Sequence, residues 1–406
     1  MTASPTSKHA VTFVFITVFL DMVGFGLIMP VLPRLIETVG QMDIAHAAAI
    51  GGWMFFAFSL TQFAFGPMMG NLSDAFGRRP LLLLAVFGLC IDYLIMSFAP
   101  NIFWLFVGRA FAGFCGASYV IANAYIADVT APEERAKAFG LMGAAFGLGF
   151  VVGPALGGIL GEFGARVPFY VAAGVSALNL FYGYFVLPET LPLEKRRAFE
   201  WVRANPFGTF KVFQSYKGVM PLCIVMFVYF FASAVYPAIW PFWSIAKFGW
   251  SELIIGLTLA AFGIVTAVFQ GALTGPAEKK FGASNVVLIG LASSVIAVIG
   301  YGLAPGIIAV VVLFVVHGPE GFVHPMLSAL MSRSVPENAQ GELQGGISSI
   351  MSVAMLAGTV FFSQVFSWFM QPNAFVQSPD VAMFTAAGFL ALTVVIFLRV
   401  RVKSGA

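Results

Sequence analysis

The chain has 406 residues, of which 60% are apolar and only 10% charged, with a mean hydropathy of +0.93. Soluble domains carry about 25% charged residues, so water is not the main solvent of this fold. A formal charge of +3 without a long basic run argues against nucleic acid, and Cys90, Cys115 and Cys223 lie in apolar stretches without paired or metal-type spacing, as small buried hydrophobes do.

A bilayer core about 30 Å thick takes roughly 20 apolar residues per helix. In chain order such stretches run over 10–33, 47–70, 80–99, 102–126, 137–160 and 167–187, then 219–243, 252–274, 285–303, 306–331, 344–369 and 381–400. The expected fold is an all-α integral membrane protein of twelve transmembrane helices. A six-helix bundle over 1–187 and another over 219–406 are joined by a cytoplasmic linker, 188–218. The polar start MTASPTSKHA runs into a full-length stretch holding Asp21, with no small-residue cleavage site, so no removable signal peptide is expected. FEWVRANPFGTFKVF, within the linker, suits either short helices on the membrane surface or an unstructured connection.

With the N-terminus inside, 17 of the 21 Lys and Arg residues fall on the cytoplasmic side; Arg34, Arg166 and Lys247 lie outside, and Arg109 is within a stretch. This bias places both termini in the cytoplasm. The halves also repeat. Gly70 to Gly77 closes the second stretch and Gly275 to Gly282 the eighth, each with an acid inside, a Phe before the second Gly and adjacent cations. Pro132-Glu133 leading to Gly140 matches Pro336-Glu337 leading to Gly345, at offsets of 204 and 205. Six helices per half make this a parallel duplication about an axis along the membrane normal.

Gly70-Asn71-Leu72-Ser73-Asp74-Ala75-Phe76-Gly77-Arg78-Arg79 resembles the loop signature of the major facilitator superfamily. Arg109 to Gly113 is similar to the Arg-containing motif of its proton-coupled members. Gly140, Gly149, Gly153, Pro154, Gly157 and Gly158 follow the antiporter motif of its drug-efflux members. Leu20 to Pro33, Ile91 to Leu94 and Ala144 to Gly158 resemble the tetracycline-efflux subfamily. The resemblance implies a proton-coupled exporter of amphipathic organic molecules that works by alternating access from a central cavity between the halves. It implies a proton gradient in place of a cofactor, and a monomer among the lipids of the cell (inner or plasma) membrane. Two departures stand out: the subfamily's acid on the ninth helix aligns with Ala292, and its histidine on the eighth with Thr266.

Charges at a helix centre cost about 2.5–3.5 kcal/mol, so each marks a function or a partner. Asp21 lies mid-way along the first stretch. Asp92 and Arg109 reach similar depths on the third and fourth, where a salt bridge or shared proton network is geometrically reasonable. Glu320, with His317 at i−3 and His324 at i+4, shares one face of the tenth, which Pro319, Pro325, Gly318 and Gly321 loosen. Asp21, Asp92, Arg109 and Glu320 are the coupling candidates, against the plainer reading of structural pairs. Three ligands from one helix turn rarely converge on an ion, which argues against a metal there. Gln62, Tyr93, Tyr119, Asn123, Tyr236, Trp240, Gln270, His317 and His324 are candidates for the cavity, although single amides more often join helices and aromatic rings often anchor at interfaces. Gly70, Asp74, Gly77, Arg78, Arg79 and Asp128 form a candidate cytoplasmic gate, with topology anchoring as the simpler role of the arginines.

Gly149, Gly153 and Gly157 fall four apart on one helix face, as close helix packing in lipid requires. No Gly-x-x-x-x-Gly-Lys-Ser/Thr motif is present, so ATP-driven transport is not expected. A carrier of another cargo (a lipid, a metabolite or a siderophore-like molecule), a receptor on the same fold and a membrane enzyme are the alternatives. The last needs a nucleophile–base constellation or a metal cluster in the membrane, and the Glu320 group is the only candidate for either.

Overall fold

The computed structural model describes residues 5–116, 118–131, 134–200, 216, 218–336 and 339–404. Every regular element among them is helical. This is one of the two ways a chain satisfies its backbone in hydrocarbon. Eleven helices or helix runs are long and apolar enough to cross a bilayer, and a bent pair makes a twelfth.

That pair is α1 (Pro5–Ile28) and α2 (Leu32–Gly40), bent by 51°. The first stretch was expected to continue to 33. It stops at Ile28 because Pro30 and Pro33 cannot continue its hydrogen-bond ladder, whereas a proline suits the first turn of α2. Next come α3 (Ile44–Phe76) and α4 (Arg78–Phe98), then α5 (Ile102–Cys115) and α6 (Ser118–Val129) within the fourth span. The fifth and sixth spans are α7 (Arg135–Gly161) and α8 (Val167–Val186). Residues 201–215, which carry most of FEWVRANPFGTFKVF, lie outside the described residues. The chain before them is tied to the end of α3: Asn71 Nδ2 donates to the Glu200 carbonyl at 2.7 Å, and Arg197 N donates to the Asp74 carbonyl at 3.1 Å.

The seventh span is α9 (Val219–Ser233) and α10 (Val235–Phe248). The eighth is α11 (Glu252–Val268), a π-helical turn (Phe269–Leu273) and α12 (Thr274–Phe281). After α13 (Ala283–Leu303), the tenth span is broken into α14 (Ile307–His317), a 3-10 turn (Gly318–Phe322) and α15 (Val323–Ser332). The chain ends with α16 (Gln340–Met370) and α17 (Val381–Ser404).

Gly70 to Arg79 is not a loop of any length. α3 runs through it to Phe76, and Gly77 alone separates it from α4, at φ +104° and ψ 157°. Gly282 does the same between α12 and α13, at φ +78° and ψ 151°. The repeat therefore holds in backbone conformation as well as in sequence.

Contacts divide the chain into two units. The first comprises Met1–Gln41, Ala57–Pro206 and Ser251–Ala260. In it α7 lies on α1 through small residues: Gly153 faces Gly26, with an added Cβ only 2.8 Å from the Gly26 Cα. Phe13, Val14, Tyr125 and Met142 form part of its buried core. The second comprises Met42–Phe56, Phe207–Trp250 and Ala261–Ala406. There α16 lies on α9, and a Cβ at Gly358 would come within 2.5 Å of the Phe231 carbonyl. Positions 231 and 358 lie 205 beyond 26 and 153, so the same helix pair is joined the same way in each repeat.

The three cations expected outside are held by protein. Arg166 donates to the carbonyls of Ser97 and Ala99 at the end of α4, and Lys247 to those of Tyr301 and Gly302 at the end of α13. Each thus donates to carbonyls at a helix end, where intrahelical partners run out. Arg34 pairs with Glu252 at 2.9 Å.

Candidate functional site

Three groups of polar side chains stand out from the apolar helices. The first surrounds Gly77. Arg78 Nη1 meets Asp74 at 2.5 Å and donates to Ser73 Oγ at 2.6 Å, while its Nε donates to Asp128 at 3.0 Å. Glu189 accepts the backbone N–H groups of Arg78 and Arg79, at 2.9 and 3.3 Å, where the positive end of the helix dipole favours a carboxylate. Arg79 turns away and donates to the Tyr184 carbonyl at 2.6 Å. Asp74, Arg78 and Asp128 therefore come together, Arg79 is apart from them, and Gly70 joins through its carbonyl, which accepts from Ser73 Oγ at 2.7 Å. Sequence reasoning missed Glu189. It lies 111 residues from Arg78, and an acid just past an apolar stretch is an ordinary sight.

The second group holds the buried charges of the first unit. Arg109 Nη2 donates to Asp92 Oδ2, linking α5 to α4. Asp92 Oδ1 and Arg109 Nε have no hydrogen-bond partner among the described residues, so the pair keeps unused donor and acceptor capacity. The guanidinium also lies 5.8 Å from the Phe58 ring centre. Asp21 is separate: Asn179 Nδ2 donates to its Oδ1 at 3.1 Å and to the Thr17 carbonyl at 3.2 Å. Asn179, an amide within an apolar stretch, was the available signal for this contact. Tyr93 is buried, with its hydroxyl against Gly24. Gln62 satisfies the Gly116 carbonyl at 3.0 Å, where the fourth span breaks between α5 and α6. Asn123 is half-buried on α6, and the Tyr119 side chain lies outside the described residues.

The third group lies in the second unit, where the broken tenth span places His317, Glu320 and His324 around one cavity of about 200 Å³. The expectation of one helix face is corrected in detail: His317 ends α14, Glu320 sits in the 3-10 turn and His324 opens α15. His317 Nε2 contacts Glu320 Oε2, and Ser233 Oγ donates to Glu320 Oε1 at 2.9 Å. The Tyr236 hydroxyl is 3.0 Å from His317 Nε2 and that of Tyr301 is 3.1 Å from Nδ1. His324 stands 5.6 Å from the Phe230 ring instead of meeting Glu320.

Gln270 and Thr266 line the same cavity from the π-helical turn and the end of α11. Trp240 does not line it; it packs on Trp243, Tyr301 and Phe314. Sequence reasoning missed Tyr229, Ser233, Phe262 and Tyr301, because tyrosine, serine and phenylalanine are unexceptional in apolar helices. Ala292 is exposed on α13.

The antiporter-motif glycines separate by position. Gly149, Gly153 and Gly157 face α1, and an added Cβ at Gly157 would lie 2.2 Å from the Leu27 carbonyl. Gly158 faces the start of α11 at Glu252, and the Pro154 carbonyl lies against Gly256. Gly140 has open space around it.

The chain is 37% identical over 368 residues to the class C tetracycline resistance protein of Escherichia coli, covering 89% of this chain and 90% of that one. It is 35% identical to the class G tetracycline resistance protein of Vibrio anguillarum, over 86% of this chain and 88% of that one. In fold it matches a bacterial homolog of the human lysosomal transporter Spinster, with a TM-score of 0.81 and 16% identity, covering 98% of this chain and 97% of that one. Residues 14–359 and 222–405 match the family description Major Facilitator Superfamily. With twelve spans, buried charges within them and relatives of this kind along most of its length, the chain is an integral membrane protein that belongs to the Major Facilitator Superfamily.

Proposed function

We propose that the protein is a proton-coupled exporter of amphipathic organic compounds, with tetracyclines among its cargo, and a carrier rather than an enzyme. The observation that carries this reading is identity of 37% and 35%, over most of the chain, to proteins named for tetracycline resistance. The buried charges support coupling. Asp21, Asp92 and Glu320 are carboxylates inside apolar spans, each at a cost that a passive bundle has no need to bear. Asp92 alternates between Arg109 and a proton, and Glu320 between His317 and a proton. The protein works as two six-helix halves, 1–187 and 219–406, with 188–218 as linker and both termini in the cytoplasm, as the cation bias supports. The cluster of Asp74, Arg78 and Asp128 is then a cytoplasmic gate, made and broken in each cycle. It acts as a monomer in the cell membrane, among lipids that the exposed Phe and Leu side chains face.

Inside-out vesicles containing the protein test this. An inside-acid gradient should drive tetracycline uptake, which nigericin should collapse. Uptake equal to that of vesicles lacking the protein would refute tetracycline as cargo, and uptake indifferent to the gradient would refute coupling.

A further inference from the structure

Two buried acids have ion-pair partners of different kinds. Asp92 is held by Arg109, and a guanidinium stays charged throughout the physiological range. Glu320 is held by His317, and an imidazole gains or loses its charge near neutral pH. The described cations of the same unit that form ion pairs are engaged elsewhere: Lys247 on Asp380 and Arg333 on Glu278, each at 2.9 Å. When His317 is neutral, the cavity therefore holds one net negative charge. A buried carboxylate without a counter-charge costs several kcal/mol, so this state favours the entry of a cation.

The surroundings specify which cation. The rings of Tyr236 and Phe262 lie 5.0 and 5.1 Å from that of His317 and 6.3 Å from each other, so aromatic surface borders the carboxylate. Aromatic faces attract weakly hydrated organic cations, whereas a metal ion or a small hydrated cation requires several hard oxygen ligands. The volume of about 200 Å³ is below the roughly 300–1,000 Å³ that encloses a drug-sized ligand, so the site takes a head group and not a whole polycyclic molecule.

We infer that the His317–Glu320 cavity is a subsite for an organic ammonium head group, which replaces protonated His317 as the counter-charge of Glu320. The exchange balances: the ammonium enters, the imidazolium gives up one proton to the medium, and the carboxylate stays ionised during this exchange, its own proton belonging to another state of the proposed cycle. The use of the site in export rests on the proposed function, but the binding event does not. The other groups facing the pair are Tyr229, Tyr236 and Tyr301, which as phenols ordinarily titrate at about pH 10, and His324, whose titration has to be separated from that of His317.

The probe is radiolabelled phenyltrimethylammonium, a permanent cation with no proton of its own, on the full chain in lipid nanodiscs. Its neutral carbon isostere, tert-butylbenzene, serves as competitor. Saturable binding is expected, with little competition by the isostere and with release of protons on binding. Affinity should fall on acidification, by up to about tenfold per pH unit where one cation replaces one proton. His317→Asn should bind with a flat pH profile, His324→Asn should keep the slope, and Glu320→Gln should weaken binding at least about tenfold, the value of roughly 1.4 kcal/mol. Equal competition by tert-butylbenzene, a flat wild-type profile, or unchanged binding in Glu320→Gln would overturn the inference. The first two need no variant, so a substitution that fails to fold leaves the test intact. Gradient-driven tetracycline uptake is measured beside it. Absent uptake with pH-dependent cation binding refutes the exporter reading alone, and the converse refutes this subsite alone.

Discussion

Arg109 and Asp92, on neighbouring helices α5 and α4, are 6% and 0% exposed, and the guanidinium of one donates to the carboxylate of the other. Removing one partner of such a pair leaves a charge buried in apolar surroundings and costs about 3–5 kcal/mol, whereas neutralising both costs much less. Arg109→Ala should therefore abolish gradient-driven uptake and lower the melting temperature, while the protein still inserts. The double variant Asp92→Asn with Arg109→Gln should recover stability without recovering uptake. Recovery of both would make the pair purely structural, and wild-type uptake in Arg109→Ala would end its coupling role.

Gly157 admits no larger residue, because a Cβ there would lie 2.2 Å from the Leu27 carbonyl and 2.8 Å from its Cα. Both obstacles are backbone. Gly157→Leu should force α7 off α1 and cost about 1–3 kcal/mol or more, with loss of transport. Gly140→Leu, at a position with open space, should melt close to wild type. Equal melting temperatures for the two variants would contradict the contact.

Gly77 and Gly282 separate two causes of strain. Both have positive φ, but a Cβ at Gly77 would also lie 2.3 Å from Glu189 Oε2, while Gly282 has open space. Gly282→Ala should cost about 1–3 kcal/mol from conformation alone. Gly77→Ala should cost more than that and displace the carboxylate from the start of α4. Denaturant titration in micelles reads the difference, and equal losses would show that Glu189 yields freely.

Asp43 supplies a pH dependence outside the membrane spans. The backbone N–H of His46 donates to its Oδ1 at 2.9 Å and holds the carboxyl below its ordinary value of 3.8. A depressed folded-state value means that the stabilisation is complete above the unfolded value and lost as pH falls through the folded one. Protection of the His46 amide from hydrogen exchange, corrected for intrinsic rate, should hold at neutral pH and decline below about pH 4. Asp43→Ala should remove that decline. A wild-type decline that Asp43→Ala leaves in place would show that the carboxylate is not its cause.

Glu320→Gln should still exchange cargo across equal gradients, because a neutral amide has no need of a proton to cross with it. It should fail to accumulate cargo against a gradient. Accumulation as good as wild type would leave coupling to Asp21 and Asp92 and reduce the third group to binding or structure. Asp92→Asn should damage both modes.

The sequence by itself determined the class of solvent, the number of spans and the duplication, because each is written locally. Lipid demands about 20 apolar residues per crossing, and a repeat keeps its offset wherever it occurs. The glycines of α7 were legible for the same reason, since a spacing of four sets one helix face. Tertiary structure alone decided what those faces meet: Gly153 meets Gly26, and Gly358 meets Phe231. It also decided two of the breaks: Gly116 and the π-helical turn at Phe269–Leu273 are bends whose freed backbone groups depend on neighbouring helices, whereas the 3-10 turn at Gly318–Phe322 falls where Gly318, Pro319 and Gly321 already mark a loosened helix in the sequence. The polar partners were the least legible. Asp21 with Asn179, Arg78 with Glu189, and Glu320 with Ser233 are 158, 111 and 87 residues apart. Apolar periodicity carries no information about such pairs, because a buried polar group must find a partner in space and the chain between them is free to take any length.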